Sequence, residues 1–201
     1  MIEKDKLPLI FLAIVLSVIV WSGIYPYDRC VWWVEITSVL IGLAGLVLTY
    51  KMFRFSDMAY LIVSLWLVMH SIGAKYSFEY VPFDWITNFF DFERNNYDRL
   101  AHFVVGINSY GFAEYVLRKN IIRTKAVAAL GGVMFIMAIG NAWELIEWLY
   151  AEVDGGKVGA AFLGSQGDIW DAQKDMLCDS LGAVVGAVLF LMCFRNYKNK
   201  Q

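Results

Sequence analysis

The sequence predicts an all-α fold, a polytopic membrane bundle of about six transmembrane helices plus a short interfacial helix. Apolar residues make up 59% of the 201 residues, aromatic residues make up 16%, and the mean hydropathy is +0.53. Soluble domains are only about 45–50% apolar. Six windows are also apolar over the length of about 20 helical residues that crosses a hydrocarbon core. Because the links between them are short, we expect one integral membrane domain over residues 1–201.

The six predicted spans follow one another along the chain. They cover residues 7–25, 31–50, 57–75, 97–117, 125–148 and 175–194. The first window is too long for a secretory signal and is not followed by a small-residue cleavage site, so we expect it to stay as a helix. Residues 80–92 (YVPFDWITNFFDF) are aromatic, amphipathic and too short to span. This composition predicts a helix that lies in the membrane interface.

Basic residues are distributed unevenly between the two sides of the predicted bundle. The side with both termini carries eleven Lys and Arg residues, and the opposite side carries five, with Arg99 left out because it sits at the mouth of a helix. The positive-inside rule therefore predicts that both termini are cytoplasmic. The net charge is only −2 and no run of like charges occurs, which argues against a nucleic-acid partner. Membrane lipids are the expected partners, and the oligomeric state stays open.

Four aspartates enter the last predicted span from the side opposite the termini, in the segment GDIWDAQKDMLCDSLGA. At about 100° per helical residue, Asp168, Asp171, Asp175 and Asp179 fall within an arc of roughly 80°. A carboxylate deep in a span costs about 2.5–3.5 kcal/mol on insertion scales and usually marks a functional interior. That cost favours a functional role for Asp175 and Asp179. Asp168 and Asp171 are equally typical of a helix N-terminus, where Asp168 would be the cap.

Polar residues of four other spans are predicted to lie at the same membrane face. The groups that meet there are Asp98 and His102 in the fourth span, Asn141, Glu144 and Glu147 in the fifth, His70 in the third and Glu35 in the second. Residues three or four apart on a helix share one face, so each set points one way. Apart from Glu114, the cytoplasmic halves of the spans are apolar. This one-sided cluster is the main functional signal in the sequence.

The cluster is rich enough in carboxylates to predict a bound divalent cation, because so many acids cannot all stay ionised in a dry pocket. The candidate ligands are Asp98, His102, Asp171, Asp175, Asp179 and His70. Asp98 is placed to orient the His102 ring. Imidazole with carboxylate suits zinc, manganese or iron, whereas a carboxylate-only subset suits magnesium or calcium, and the sequence does not choose between them. A lone His in a span, such as His70, is also typical of hydrogen-bonded packing.

A metal at this face favours hydrolysis of an envelope lipid or a lipid-linked precursor that arrives from the outer leaflet. Glu144 or Glu147 would act as general base, and Arg99 would stabilise a developing anion. Two alternatives stay open. One is a binding or structural protein whose acids and His form a packing network, and the other is an ion-coupled carrier. The carrier is disfavoured by the apolar cytoplasmic halves and by the absence of paired broken helices. The Gly-rich segment 151–170 fits either a mobile lid or a plain loop.

Three segments of the chain, DRLAHF, NAWELIEW and GDIWDAQKDMLCDSLGA, also carry a family resemblance. Together they resemble the YjdF-like bacterial inner-membrane proteins, a family without an assigned activity, and the similarity covers nearly the whole chain. More distantly, DRLAHF and DMLCDSLGA are similar to the D-K-x-x-H-F and D-x-x-x-[ND]-x-x-G-A patterns of VanZ-like proteins, which are associated with glycopeptide resistance. This likeness falls on Asp98, Arg99, His102, Asp175 and Asp179, with Arg99 in place of the commoner Lys and Asp179 where Asn is frequent. It implies a cell-envelope role.

Overall fold

The computed structural model describes residues 6–154, 156, 159 and 162–197, and this part of the chain contains helices and no strand. The all-α prediction is therefore confirmed. The helices, in chain order, are α1 Lys6–Ser22, α2 Arg29–Thr49, α3 Asp57–Lys75, α4 Asp84–Phe89, α5 Tyr97–Gly106, α6 Ser109–Arg118, α7 Lys125–Asp154 and α8 Asp171–Cys193.

Four of these helices, α2, α3, α7 and α8, are long and apolar enough to cross a membrane. Helix α1 is apolar as well but has only 17 residues. The membrane bundle is thus confirmed, whereas the count of six spans is not. Two helix ends also differ from the prediction, because α7 continues to Asp154 and α8 begins four residues early, at Asp171.

The prediction of one continuous fourth span is wrong, because the chain breaks there into α5 and α6. The break follows Gly106, where an added Cβ would collide with the backbone carbonyl of Asp179 on α8. The Asn108 side-chain amide donates to the Val105 carbonyl oxygen at 3.0 Å, and the Ser109 hydroxyl donates to the Ala183 carbonyl at 2.7 Å. Such side-chain bonds replace helical backbone bonds where a buried helix is interrupted.

Helices α5 and α8 pack against each other through small residues. An added Cβ on Gly182 would collide with the Phe103 carbonyl, and one on Gly186 would collide with the Ile107 carbonyl. Gly182 and Gly186, four residues apart, thus form a small-xxx-small contact between the two helices. Helix α7 packs on α6 and α8, while α3 contacts α1, α2 and α5. The polar end of α5 is thereby enclosed by α3, α7 and α8.

The polar residue of the predicted cytoplasmic half, Glu114 on α6, is fully buried. Its carboxylate accepts hydrogen bonds from the Ser56 backbone N–H at 2.8 Å and the Ser56 hydroxyl at 2.7 Å, and it pairs with Arg118. Ser56 is also the N-cap of α3 and accepts a bond from the Ala59 backbone N–H. Glu114 therefore joins the start of α3 to α6 as a structural group.

A short helix lies within residues 80–92, the segment for which an interfacial helix is predicted. Helix α4 has six residues, and its side chains Trp85 and Phe89 are 72% and 79% exposed. Exposed aromatic residues of this kind are typical of the boundary between lipid and water. The Asn95 side-chain amide donates to the carbonyls of Glu79 and Val81, which holds the segment that contains α4 against the bundle.

Candidate metal centre and its cavity

Three of the predicted ligands come together at the predicted outer end of the bundle. Asp98 and His102 lie one turn apart on α5, and Asp175 reaches them from α8. Each offers one ligand atom, and the three atoms lie within 4.8 Å of one another. His102 and Asp175 are buried, and Asp98 is partly buried. Two carboxylate oxygens and one imidazole nitrogen at this spacing form a donor set suited to zinc, manganese or iron.

The His102 ring is oriented by a carboxylate other than the one predicted. Its Nδ1 lies 3.2 Å from Asp179 Oδ1, whereas its Nε2 lies 3.7 Å from Asp98 and 3.9 Å from Glu144. Asp179 is 1% exposed and sits about 12 Å from the start of α8, given a rise of about 1.5 Å per residue. The ring is thus fixed by Asp179 through Nδ1, and Nε2 faces the other acids. This is the usual arrangement of a metal-bound imidazole.

Several buried carboxylate oxygens at this end have no hydrogen-bond partner among the described residues. They include Glu144 Oε1, Asp175 Oδ1 and Asp179 Oδ2. More than about 90% of buried polar atoms in proteins are hydrogen-bonded, so each exception needs an explanation. A cation, ordered water or a ligand with N–H groups would satisfy these oxygens. The residues present therefore fit a cation at the Asp98, His102 and Asp175 group.

A glycine on α7 makes room for one of these carboxylates. An added Cβ on Gly140 would collide with Oδ2 of Asp179. The absence of a side chain at Gly140 lets α7 pass directly over the carboxylate while its oxygen keeps space on the cavity side. The site thus depends on close backbone approach as well as on its charged residues.

A cavity of about 170 Å³ adjoins this group. Its polar and charged lining consists of Glu35, Ser38, His70, Ser77, Asp98, His102, Glu147 and Asp179. Its aromatic lining consists of Trp66, Phe78, Trp143 and Phe162. On α7 the lining residues recur at helical spacing, which places Trp143 and Glu147 on one face. The cavity is therefore an acidic and aromatic chamber within the helix bundle.

His70 lies in the same cavity but outside the three-residue group. Its Nε2 is 3.0 Å from Glu35 Oε2 and 3.2 Å from the Ser38 hydroxyl. The sequence predicts the same membrane face for Glu35 and His70 but not their contact with each other. Glu35 is near the start of α2 and His70 is near the end of α3. Two such residues can meet if consecutive helices pack side by side in antiparallel directions, and this position along the helices is the sequence signal for the contact.

An arginine-rich rim lies at the N-terminus of α8. Arg94 pairs with Asp171, and Arg99 Nη2 lies 3.3 Å from Asp171 Oδ1 and 2.5 Å from Asp168 Oδ2. Asp171, a predicted metal ligand, is thus held by arginines in this structure. Arg94 was not predicted as a site residue, because a basic residue in a loop gives no sign of its partner.

Asp168 precedes α8 and is neither its N-cap residue nor part of the helical stripe, so the predicted cap is wrong. The N-cap is Trp170, whose backbone N–H donates to Asp168 Oδ1 at 3.1 Å. A hydrogen bond from Lys174, at 2.6 Å, and that backbone N–H hold the pKa of Asp168 well below its usual range. The stripe of four aspartates therefore divides into two outer rim residues and two inner site residues.

The segment before α8 covers one side of the cavity. Phe162 is buried and its ring contacts Trp143 and Tyr150. Gln166 exchanges two hydrogen bonds of 3.0 Å with the backbone of Asn95. These contacts tie residues 162–167 to the bundle. The choice between a lid and a loop for residues 151–170 falls partly on residues 155, 157, 158, 160 and 161, which lie outside the described residues.

The three residues of α7 that were predicted to join the cluster point in different directions. Glu144 is buried beside His102, and Glu147 lines the cavity. Asn141 is exposed on the outside of the bundle, so its predicted place in the cluster is wrong. A helix turns by about 100° per residue, and three-residue steps drift by about 60°, which carries Asn141 off the face that Glu147 shares with Gly140.

Comparisons with known proteins bear on the identity of this membrane bundle. Residues 7–196 match the family described as "Predicted membrane protein (DUF2238)". The chain is also 32% identical over 179 residues to "Inner membrane protein YjdF" of Escherichia coli (strain K12), covering 88% of this chain and 85% of that protein. No solved structure matches the chain. The extent of both sequence matches shows that this chain belongs to the DUF2238 family of predicted membrane proteins.

Proposed function

We propose that the protein is a metal-dependent membrane hydrolase that acts on an envelope lipid or a lipid-linked precursor. The observation that carries this proposal is the group of Asp98, His102 and Asp175, which lies beside a cavity with unpartnered carboxylate oxygens. Buried carboxylates in a membrane protein are expensive and usually functional. A divalent cation would compensate their charge at this place.

The proposed ligands are Asp98, His102 and Asp175. Asp179 holds the His102 ring from behind, so it acts on the imidazole rather than as a direct ligand. Asp171 is engaged by Arg94 and Arg99, and we leave it out of the ligand set. His70 is left out as well, because its Nε2 faces Glu35 and Ser38. Three ligands leave coordination positions open, as in catalytic rather than structural metal sites.

A divalent metal bound here would activate a water molecule at neutral pH. Glu147 is the best-placed general base, because it lines the cavity in which a substrate and water would meet. Glu144 lies 3.9 Å from His102 Nε2 with Oε1 unpartnered, which suits it to a fourth ligand or a proton acceptor. The Arg99 Nε–H lies 3.9 Å from Asp175 Oδ1 without a hydrogen bond and is available to an anion there.

Elemental analysis of the detergent-purified, tag-free protein tests the metal. We expect about one equivalent of a divalent ion in the parent and its loss in His102→Ala and Asp175→Asn. Glu152→Gln is the matched control, because Glu152 is exposed on α7 and is not among the residues that line the cavity. A parent that contains no metal and takes up none from added zinc, manganese, iron or magnesium would overturn the proposal.

The hydrolase activity is tested separately, by incubating the metal-loaded protein with radiolabelled envelope lipids and resolving the products. Glu147→Gln should keep the metal and lose most of the turnover, since a general base typically contributes about 10²–10⁴-fold. Retained turnover in Glu147→Gln would shift the base to Glu144. If the metal-loaded protein cleaved none of the lipids, the proposed metal site would stand and the proposed hydrolase activity would be rejected.

The rim favours a second candidate, a binding or structural protein. There, Arg94, Arg99 and Lys174 already pair with Asp168 and Asp171, as expected of a packing network. The carrier is less supported. One broken helix, α5 and α6, is present, while α2, α3, α7 and α8 are uninterrupted over their described residues.

A further inference from the structure

The α2 and α3 side of the cavity has polar atoms that the proposed metal chemistry does not use. The Ser77 hydroxyl has no hydrogen-bond partner among the described residues, and the charged neighbour of Glu35 Oε2 is His70 Nε2 at 3.0 Å. Both residues are only 3% exposed, and both line the cavity. Buried polar atoms of this kind lose free energy unless a partner reaches them. The unpartnered Ser77 hydroxyl therefore points to a ligand that reaches this side of the cavity.

We call the side of the cavity that is lined by Glu35, His70 and Ser77 the wall. A second metal ion does not explain its buried polar atoms. Within the described part of the chain, Asp98, His102 and Asp175 are the residues whose ligand atoms converge to metal-binding distances. Glu35 and His70 provide just two such atoms here. The wall is better suited to a ligand that donates hydrogen bonds to a carboxylate and a hydroxyl than to a bare ion.

Aromatic rings pack around His70, which contacts Glu35 on this side of the cavity. The His70 ring lies 5.2 Å from the ring of Phe78, 5.8 Å from Trp66 and 5.9 Å from Trp143, measured between centroids, and all three rings line the cavity. The face of an aromatic ring attracts an organic cation, with tryptophan the strongest. Carboxylates together with aromatic faces are the typical surroundings of a bound alkylammonium group.

The charge and the size of the cavity also favour a small cationic ligand. Four carboxylates and two imidazoles line it, so a divalent ion at one end still leaves negative charge near Glu35 and Glu147. A volume of about 170 Å³ is below the roughly 300–1,000 Å³ of drug-sized sites. A small headgroup with a cationic end fits this chamber better than an anionic or oligosaccharide headgroup.

We propose that the wall, together with Trp66 and Trp143, binds the primary ammonium group of a phosphate ester whose phosphate lies at the metal centre. This inference rests on the proposed function and names its substrate class, an ethanolamine-type headgroup. Glu35 and the Ser77 hydroxyl accept the N–H bonds, and the indole faces of Trp66 and Trp143 contact the cation. The headgroup belongs either to a phospholipid or to a water-soluble ester.

Calorimetry on the full-length protein in detergent tests the proposal with two soluble probes. Phosphoethanolamine and glycerol 3-phosphate share the phosphate monoester and differ in the ammonium group. We expect the manganese-loaded parent to bind phosphoethanolamine about tenfold more tightly, the ratio that corresponds to one charged contact of modest strength. Equal affinities would overturn the proposal, and this comparison needs no variant.

Two variants locate the preference. Glu35→Gln should reduce the affinity ratio to about twofold or less while keeping the metal content of the parent. Ser77→Ala should reduce the affinity ratio by a smaller factor. It replaces Glu35→Gln as the test variant if Glu35→Gln does not fold. Glu152→Gln is the control and should keep the full ratio. A full preference in Glu35→Gln and Ser77→Ala would contradict the assignment to this wall.

The source of the headgroup is decided in nanodiscs that contain equal amounts of phosphatidylethanolamine and phosphatidylglycerol. Enrichment of phosphatidylethanolamine on the extracted parent, lost in Glu35→Gln, identifies the lipid. Equal retention of the two lipids with preserved binding of phosphoethanolamine identifies the soluble ester.

The two proposals fail in different ways. Metal content without any preference for phosphoethanolamine removes this inference alone. A metal-free protein that still binds ethylammonium chloride, and loses that binding in Glu35→Gln, removes the hydrolase and keeps the ammonium site.

Discussion

Two buried acidic regions of this protein have opposite surroundings. In the predicted cytoplasmic half, Glu114 is completely buried and its carboxylate has three donors, from the Ser56 backbone, the Ser56 hydroxyl and Arg118. In the predicted outer half, Asp175 and Asp179 are almost as buried, yet each has a carboxylate oxygen without a hydrogen-bond partner. The same side-chain chemistry is therefore satisfied at one end and unsatisfied at the other.

The difference separates a structural acid from a candidate functional one. Glu114 is compensated by its own protein, so its charge needs no further ligand. The outer acids lie on or beside a cavity and outnumber the basic groups that line it. Burial alone does not distinguish the two regions, whereas the count of hydrogen-bond donors around each carboxylate does. The comparison therefore predicts that neutralising the two acids changes stability in opposite directions.

The largest expected effect is the loss of stability in Glu114→Gln. The amide keeps one oxygen but places an N–H₂ group against donors, which leaves the Ser56 backbone N–H or Arg118 without an acceptor. We expect a loss of about 2–3 kcal/mol, which is below the roughly 3–5 kcal/mol of a fully buried pair because the Arg118 side chain is 33% exposed. Thermal unfolding in detergent, followed by size-exclusion chromatography of the heated protein, measures the change.

Glu152→Gln is the control for this loss, because it makes the same substitution at an exposed site. It should unfold at the temperature of the parent. Equal unfolding temperatures for Glu114→Gln and the parent would show that Glu114 is not a structural acid, and the comparison of the two regions would break.

A second prediction concerns the close approach of α5 and α8, on which the outer site depends. In Gly182→Ala the new methyl group collides with the Phe103 carbonyl, which pushes α5 away from α8. Overpacking of this kind costs about 1–3 kcal/mol and should also weaken metal binding, because Asp98 and His102 are on α5 while Asp175 is on α8. Thermal unfolding and metal titration measure the two effects.

Gly45→Ala is the matched control for the packing prediction. Gly45 lies in α2, and an added Cβ there meets nothing within 4 Å. This substitution should be neutral or slightly stabilising, because alanine favours a helix more than glycine does. If Gly182→Ala bound metal with the affinity of the parent, the outer site would not depend on the helix contact.

A third prediction is that neutralising Asp175, unlike neutralising Glu114, does not lower the stability of the metal-free protein. Asp175→Asn removes a buried negative charge with an unpartnered oxygen. The metal-free variant should therefore be as stable as the metal-free parent or more stable, with a free energy of unfolding higher by up to about 1 kcal/mol. Added manganese should raise the unfolding temperature of the parent but not of the variant. A variant much less stable than the metal-free parent would class Asp175 with Glu114.

Helical spacing within one segment was the part of the site that the sequence could predict. Asp98 and His102 are four residues apart and do form one face, and Asp175 joins them from the aspartate stripe. Contacts between segments could not be predicted in the same way. The His102 contact with Asp179 depends on the register of α5 against α8, which is set by glycines whose backbone approach leaves no periodic signal.

The break between α5 and α6 escaped the sequence analysis for a related reason. Residues 97–117 are apolar over the length of a span, so hydropathy favoured one helix. The interruption depends on the backbone of α8 at Asp179, which excludes a Cβ at Gly106, and on the Asn108 amide that takes over the freed carbonyl. Both are tertiary effects. Similarly, Arg94 and its partner Asp171 are 77 residues apart along the chain. The distribution of Lys and Arg along the sequence predicts the membrane side of Arg94 but not the residue that it pairs with.

The smallest expected effect is a pH dependence at the rim, where acids are paired as Glu114 is but are partly exposed. Lys174 and the Trp170 N–H lower the pKa of Asp168, so Asp168 contributes stability above its unfolded pKa of about 3.9 and loses it as the pH falls toward the folded value. In Lys174→Met the decline of the unfolding temperature between about pH 5 and pH 3 should therefore be shallower than in the parent, and high salt should shrink the difference. Lys51→Met, at an exposed site on the other side of the bundle, should keep the parental slope. Superimposable pH profiles for Lys174→Met and the parent would mean that the pair of Lys174 and Asp168 adds nothing to stability. A paired carboxylate of this protein would then stabilise the fold only where it is fully buried, as Glu114 is.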